Sequence, residues 1–179
     1  SPVQELVCKL NIIEECDQGI VMTEDAEAGA VSIENNHLTD IQGAITNDTV
    51  TVATGIAVAR TGSASIVGNT LRRVGLQSTR AALTVGVSTV DVARARIAGN
   101  TISEIGPSAN LVGIGVGILV RAPYQHAEIS QNHVQRDAEL ALATDDALWL
   151  AVYVLETAAA GSAANTGAGL GTGVAVGDH

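Results

Sequence analysis

Residues 97–106 read IAGNTISEIG, and altered copies of that phrase recur along the chain. Aligned on the Asn, here Asn100, it returns as IENNHLTDIQ at Asn36, IVGNTLRRVG at Asn69 and ISQNHVQRDA at Asn132, so successive spacings are 33, 31 and 32 residues. A step of 25 back from Asn36 reaches Asn11 in CKLNIIEECD, and a step of 33 on from Asn132 reaches Asn165 in SAANTGAGLG, a copy without large apolar residues. A period near 32 marks a repeat architecture, in which each unit buries its apolar face only against its neighbours.

The columns of the alignment say which side chains point inward. Three before the Asn stand Cys8, Ile33, Ile66, Ile97, Ile129 and Ser162; two after it stand Ile13, Leu38, Leu71, Ile102, Val134 and Gly167. Five after it stand Cys16, Ile41, Val74, Ile105, Asp137 and Leu170. Asp137 and the small residues of the last copy are the exceptions to an interior reading. Between copies lie GIVM, TGIAVAR, ALTVGV, GIGVGILV and WLAVYVL, so each period holds two or three short strands separated by Gly or polar turns. No period contains a ten-residue amphipathic helix. A chain that winds through several strands per turn and stacks like on like is a parallel β-helix, its turns roughly 4.8 Å apart. The Asn is then expected at a corner, because it tolerates left-handed backbone and its amide can bond the amide stacked above it in an Asn ladder.

This coil pattern resembles the right-handed parallel β-helix proteins of the pectate-lyase-like group over nearly the whole chain. The resemblance implies an all-β, single-stranded solenoid of about five to six coils. Its competitor is a leucine-rich repeat, suggested by V-x-x-A-x-I-x-x-N-x-I-x-x-I over residues 92–105. Such repeats are Leu-rich with periods of roughly 20–29 residues. The longer period and Ile-rich columns favour the β-helix.

Composition agrees. There is no Phe, and Trp149, Tyr124 and Tyr153 are the only aromatic residues, so the core is tiled from small and β-branched side chains suited to pleated surfaces. No linker divides the 179 residues, which read as one domain, 1–179, ending in a Gly- and Ala-rich tail over 157–179 that is expected to cover one end of the stack. The opening SPVQEL suits a mature or excised piece of a longer chain. No apolar run approaches a membrane span.

The net charge is −10, and residues 1–50 hold ten acids against the single Lys9. A basic tract able to neutralise a run of phosphates is missing, which argues against nucleic acid, and polyanionic glycans are disfavoured unless a cation mediates. Four residues after the Asn stand Glu15, Asp40, Arg73, Glu104 and Arg136, alternating in sign from Asp40 onward. Stacked at about 4.8 Å, these are expected to pair up the outside of the solenoid, each pair contributing under about 1 kcal/mol while opposing register slips.

Candidates for chemistry each meet a simpler reading. His37 and His133 both follow the repeated Asn but stand three turns apart, about 14 Å, too far to share a metal whose His ligands lie about 2 Å from it. His126 has Arg121 and Tyr124 nearby in sequence, and His179 is terminal. Cys8 and Cys16 head inward columns and read as small buried thiols, with a disulfide across the first turn as the alternative. Asp145 and Asp146 lie together before Trp149, and paired acids are what glycoside hydrolysis needs. Adjacent strand residues point to opposite faces, however, and the Gly-His and Arg-x-Lys motifs that accompany an Asp pair in polygalacturonases are absent. Asp48 falls in a turn, and Arg121, the candidate base of a lyase, has no column of acids beside it. Trp149 and Tyr153, four apart, are expected to share one strand face and to plug the core or cover the last turn rather than form a sugar platform.

No residue is therefore assigned a catalytic, cofactor-binding or metal-binding role, and no cofactor is expected. The expectation is a non-catalytic scaffold or binding module with a glycan or protein partner, part of a surface or phage-like spike assembly. Its fold resemblance implies an extracellular or cell-surface setting. The alternatives are a carbohydrate-active enzyme, whether lyase, hydrolase or epimerase, and a leucine-rich-repeat-like interaction domain.

Overall fold

A computed structural model describes residues 3–22, 28–47, 50–76, 81–106, 113–135, 147–155 and 174–176. Fifteen strands occur there and no helix: β1 Val3–Lys9, β2 Ile12–Cys16, β3 Ile20–Val21, β4 Ala28–Glu34, β5 His37–Ile41, β6 Ala44–Asn47, β7 Val50–Val67, β8 Thr70–Val74, β9 Ala81–Ala98, β10 Thr101–Ile105, β11 Gly113–Arg121, β12 His126–Ser130, β13 His133–Gln135, β14 Ala147–Leu155 and β15 Val174–Val176. Apart from the antiparallel β6–β7 pair, all pairing is parallel and joins each strand to its counterpart one repeat away. The chain is a parallel β-solenoid with three sheet faces.

The first face comprises β3, the leading halves of β7 and β9, β11 and β14. The second comprises β1, β4, the trailing halves of β7 and β9, β12 and β15. The third is the five-stranded sheet β2–β5–β8–β10–β13. Among the described residues sheet lies on all three sides, with no helix of the kind that flanks a leucine-rich repeat. Three windings carry every face with strands of three or more residues, at 50–74, 81–105 and 113–135. The outer copies contribute partial windings, so the regular solenoid is shorter than the five to six coils expected. The sixth copy at Asn165 lies outside the described residues. Within the tail expected to cover an end, Val174–Val176 pairs with β12.

The inward columns stack in register: Ile66 against Ile97 and Ile97 against Ile129, Leu38 against Leu71 and Leu71 against Ile102, Ile41 against Val74 and Val74 against Ile105. All of these are essentially fully buried. Their spacing within a winding raises a geometric problem, because Ile97, Asn100, Ile102 and Ile105 are separated by three, two and three residues, while a straight strand alternates strictly by two. Backbone conformation resolves it. Each gap of three contains one left-handed residue immediately before the next inward side chain: Gly99 at φ 63° before Asn100, and Glu104 at φ 54° before Ile105. The same holds at Leu10, Asn35, Gly68 and Gln131 before the repeated Asn, and at Glu15, Asp40 and Arg73 in the later position. The left-handed conformation thus belongs to the residue preceding the Asn, a correction to the expectation that the Asn itself adopts it.

The Asn is buried instead, and its amide links windings. Asn100 Oδ1 accepts from both the N–H and the Nδ2 of Asn69, each at 2.9 Å. Its own Nδ2 donates to Asn132 Oδ1 at 2.9 Å and to the Ile66 carbonyl at 2.9 Å, and its N–H reaches Asn132 Oδ1 at 3.0 Å. Asn36 repeats this pattern between Asn11 and Asn69. Burial of so polar a group is tolerated because its hydrogen-bonding capacity is used.

A second column escaped the sequence reading. Gly19, Gly55, Gly86 and Gly117 occupy equivalent places in the first face, and the third-face side chains cross the core to reach them. A Cβ built on each would lie 2.6 Å from Leu38 Cδ2, 2.4 Å from Leu71 Cδ2, 2.7 Å from Ile102 Cγ2 and 2.3 Å from Val134 Cγ1, respectively. The core is one side chain thick at this point, which is why no larger residue fits.

Replacing Asn100 by Ala removes the acceptor of the Asn69 N–H and Nδ2 and the Nδ2 donor of the Ile66 carbonyl and Asn132 Oδ1, and is expected to cost about 3 kcal/mol. Gly86→Ala, by overpacking against Ile102 and the Gly117 carbonyl, is expected to cost about 1–3 kcal/mol. Urea unfolding followed by circular dichroism measures both, with the outward Ser65→Ala expected to stay within about 0.5 kcal/mol of wild type.

Candidate functional site

The outward charges are mostly spoken for by neighbours in the stack. Arg73 forms an ion pair with Asp40, one winding back, and its guanidinium also reaches the Thr39 hydroxyl at 3.5 Å. That contact raises the already high pKa of Arg73. Glu104 does not complete the expected alternation with Arg73 by direct contact; Arg72 takes it instead, Nε to Oε1 at 2.7 Å. The reason is the left-handed backbone of this column: Arg73 and Glu104 sit at bends, so the preceding strand residue Arg72 is also within reach of the carboxylate. Glu15 is exposed, and Arg136 lies outside the described residues.

His37 and His133 are exposed in one outward column of the third face, separated by Thr70 and Thr101. His133 Nε2 lies 3.3 Å from Gln135 Oε1. Among the described residues, no three His, Cys, Asp or Glu side chains gather as metal ligands would. Cys8 and Cys16 are free thiols rather than a disulfide. Cys8 Sγ accepts from Asn11 Nδ2 at 3.2 Å, and Cys16 Sγ donates to the Gln18 carbonyl at 3.0 Å. Partial burial, with Asp17 adding its charge, pushes the Cys16 thiol pKa up. Asp48, Asp145, Asp146 and His179 lie outside the described residues. Arg121 ends β11 in an exposed position.

Trp149 and Tyr153 do not share an environment, contrary to the expectation. Trp149 stacks over Gly115 in the row that continues to Thr84, and its Nε1 is buried with no partner among the described residues. Tyr153 is 41% exposed, while Val152 and Val154 beside it pack on the core. Trp149 and Tyr153 thus form no paired platform, and Tyr124 is buried in the core.

A shallow outward trough of about 350 Å³ lies on the second face. Its floor carries Ala30, Ser32, Ser63 and Ser65, with Glu5 at one end and Arg94, Arg96, His126 and Glu128 at the other. These fall in two outward columns, six and four residues before the repeated Asn. The sequence alignment, carried a few residues further upstream, would have found them. Arg96 lies 3.7 Å from Glu128, which accepts from Ser130 Oγ at 2.9 Å. Beyond the trough, Lys9 pairs with Glu34 at 3.0 Å. Glu5 and Arg94 have no ion-pair partner among the described residues. Glu5 and Glu128 stand four rungs apart, roughly 19 Å, well beyond the roughly 5–9.5 Å that separates the carboxylates of a glycoside hydrolase.

Ser32 Oγ donates to Glu34 at 2.5 Å and, with Lys9, holds the Glu34 carboxyl below its ordinary range. A lowered folded-state pKa means that this group's stabilisation is present above the ordinary carboxylate range and is lost as pH falls through the folded value. Carboxyl NMR titration is expected to find Glu34 below 4.5, with Ser32→Ala moving it upward.

In comparisons with known proteins, the chain matches no family model, no curated protein and no solved structure. Among the described residues, no helix is long and apolar enough to cross a membrane. The functional reading therefore stands on the faces of the solenoid.

Proposed function

We propose that the chain is a non-catalytic β-solenoid scaffold or binding module, a rigid element of a surface or spike-like assembly that presents its second face to a partner. The observation that carries this reading is the trough. Its floor is Ser and Ala, and its flanking charges Arg96 and Glu128 are engaged with one another rather than held ready for a proton transfer. General acid–base work needs groups converging on one reacting position, and the carboxylates of the trough are held several rungs apart by the stack. The coil-level resemblance to pectate-lyase-like β-helices supports a glycan as one class of partner, but fold analogy does not locate a site.

A carbohydrate-active enzyme is the second reading. His126 and Glu128 favour it, standing two apart on β12 and both facing outward into the trough. Reducing-sugar and unsaturated-product assays over neutral and acidic glycans separate the two. The scaffold reading expects no turnover. Turnover that disappears in Glu128→Gln, or in Asp145→Asn with Asp146→Asn, would establish the enzyme instead.

A further inference from the structure

One outward column of the second face runs Glu5, Ala30, Ser63, Arg94 on four successive strands in register. An acid and a base thus stand three rungs apart, roughly 14 Å, with two small residues between them. Consider a two-fold axis lying just above this face, parallel to the strands and centred between β4 and β7. It sets Glu5 of one copy opposite Arg94 of the other, Ala30 opposite Ser63, and the reverse. In the neighbouring column it sets Val7 opposite Arg96 and Ser32 opposite Ser65; in the next, Lys9 opposite Ala98 and Glu34 opposite Val67. No like charges meet. A surface that is its own complement under a two-fold rotation is what an isologous dimer requires.

We propose that the second face is the contact between two copies of this chain, stacked face to face with their solenoid axes antiparallel. Glu5 of each copy pairs with Arg94 of the other, and the Ala30, Ser32, Ser63 and Ser65 floor leaves room for the opposing Arg side chains to lie across it. This rests on the scaffold reading and deepens it by naming the first partner as a second copy. Both charged groups fit the role because neither is engaged within its own chain among the described residues, unlike Lys9, Glu34, Arg96 and Glu128.

Size sets the strength. Four rungs of seven-residue strands span about 20 Å by 20 Å, or about 400 Å² per copy and 800 Å² in total, below the roughly 1,200–2,000 Å² of stable interfaces. The charge of −10 on each chain opposes approach at long range. The dimer is accordingly weak, and is best seen at high protein concentration and about 0.15 M salt, where a Debye length of about 8 Å screens distant charges more than contacting ones.

Sedimentation velocity of the full chain over rising concentration tests this. Wild type is expected to shift toward dimer. Glu5→Arg and Arg94→Glu, each felt twice in a symmetric interface, are expected to weaken association by roughly tenfold. The double variant, and an equimolar mixture of the two single variants, are expected to restore it, because acid again faces base. Glu14→Arg, the same change of charge on the third face, is expected to behave as wild type. Circular dichroism of every variant confirms the fold. A wild type that remains monomeric at millimolar concentration overturns the proposal, as does association indifferent to Glu5 and Arg94, or a Glu14→Arg effect of equal size. Those outcomes leave the glycan assays to judge the scaffold reading independently.

Discussion

The structure depends on a single row of side-chain amides. Each buried Asn oxygen takes two donors from the winding before it, a backbone N–H and an amide, and each amide group in turn donates to the next Asn and to a carbonyl of the preceding winding. Such a row fixes register in a way that apolar stacking cannot. Ile on Ile or Leu on Leu tolerates some sliding, whereas a shift of one residue would leave several buried polar groups unpaired at once. Hydrophobic burial drives the chain together, and the Asn row selects one way for the windings to lie.

Everything else in the cross-section follows from fitting that row into a flat coil. Left-handed residues before the Asn and again before the last inward residue of the third face break the two-residue alternation, so that consecutive inward side chains can be three apart. The chain accepts charged residues such as Asp40, Arg73 and Glu104 in this costly conformation because their side chains point outward and the bend is enforced by strands on both sides. The glycine column marks the narrowest part of the core, where Leu71 or Ile102 reaches right across. Small and β-branched side chains tile most of this core, with Tyr124 a buried aromatic among the described residues.

The outer surface obeys a different logic. With windings about one hydrogen-bond rung apart, charges in equivalent positions are forced into proximity, and most are consumed by their neighbours, as in Arg73 with Asp40, Arg72 with Glu104 and Lys9 with Glu34. Charge patterns that might suggest catalysis in a globular fold are here a consequence of stacking. Glu5 and Arg94, which line a Ser- and Ala-floored trough, are not consumed in this way among the described residues.

The sequence alone determined the repeat, its period, the parallel stacking of Ile66, Ile97 and Ile129, and the interior columns, because a solenoid writes its contacts into the chain at a fixed spacing. It also indicated that Asp40 and Arg73 would meet. Backbone dihedrals decided the rest: that the residue before each Asn, and not the Asn, is left-handed, and that Arg72 joins Glu104. Each of these turns on the direction in which a side chain leaves a bend, which a one-dimensional spacing does not encode. The trough needed tertiary structure for the same reason. Its residues were in the alignment all along, but that Glu5, Ala30, Ser63 and Arg94 face outward together is a property of the winding, set by the handed turns on either side of the second face.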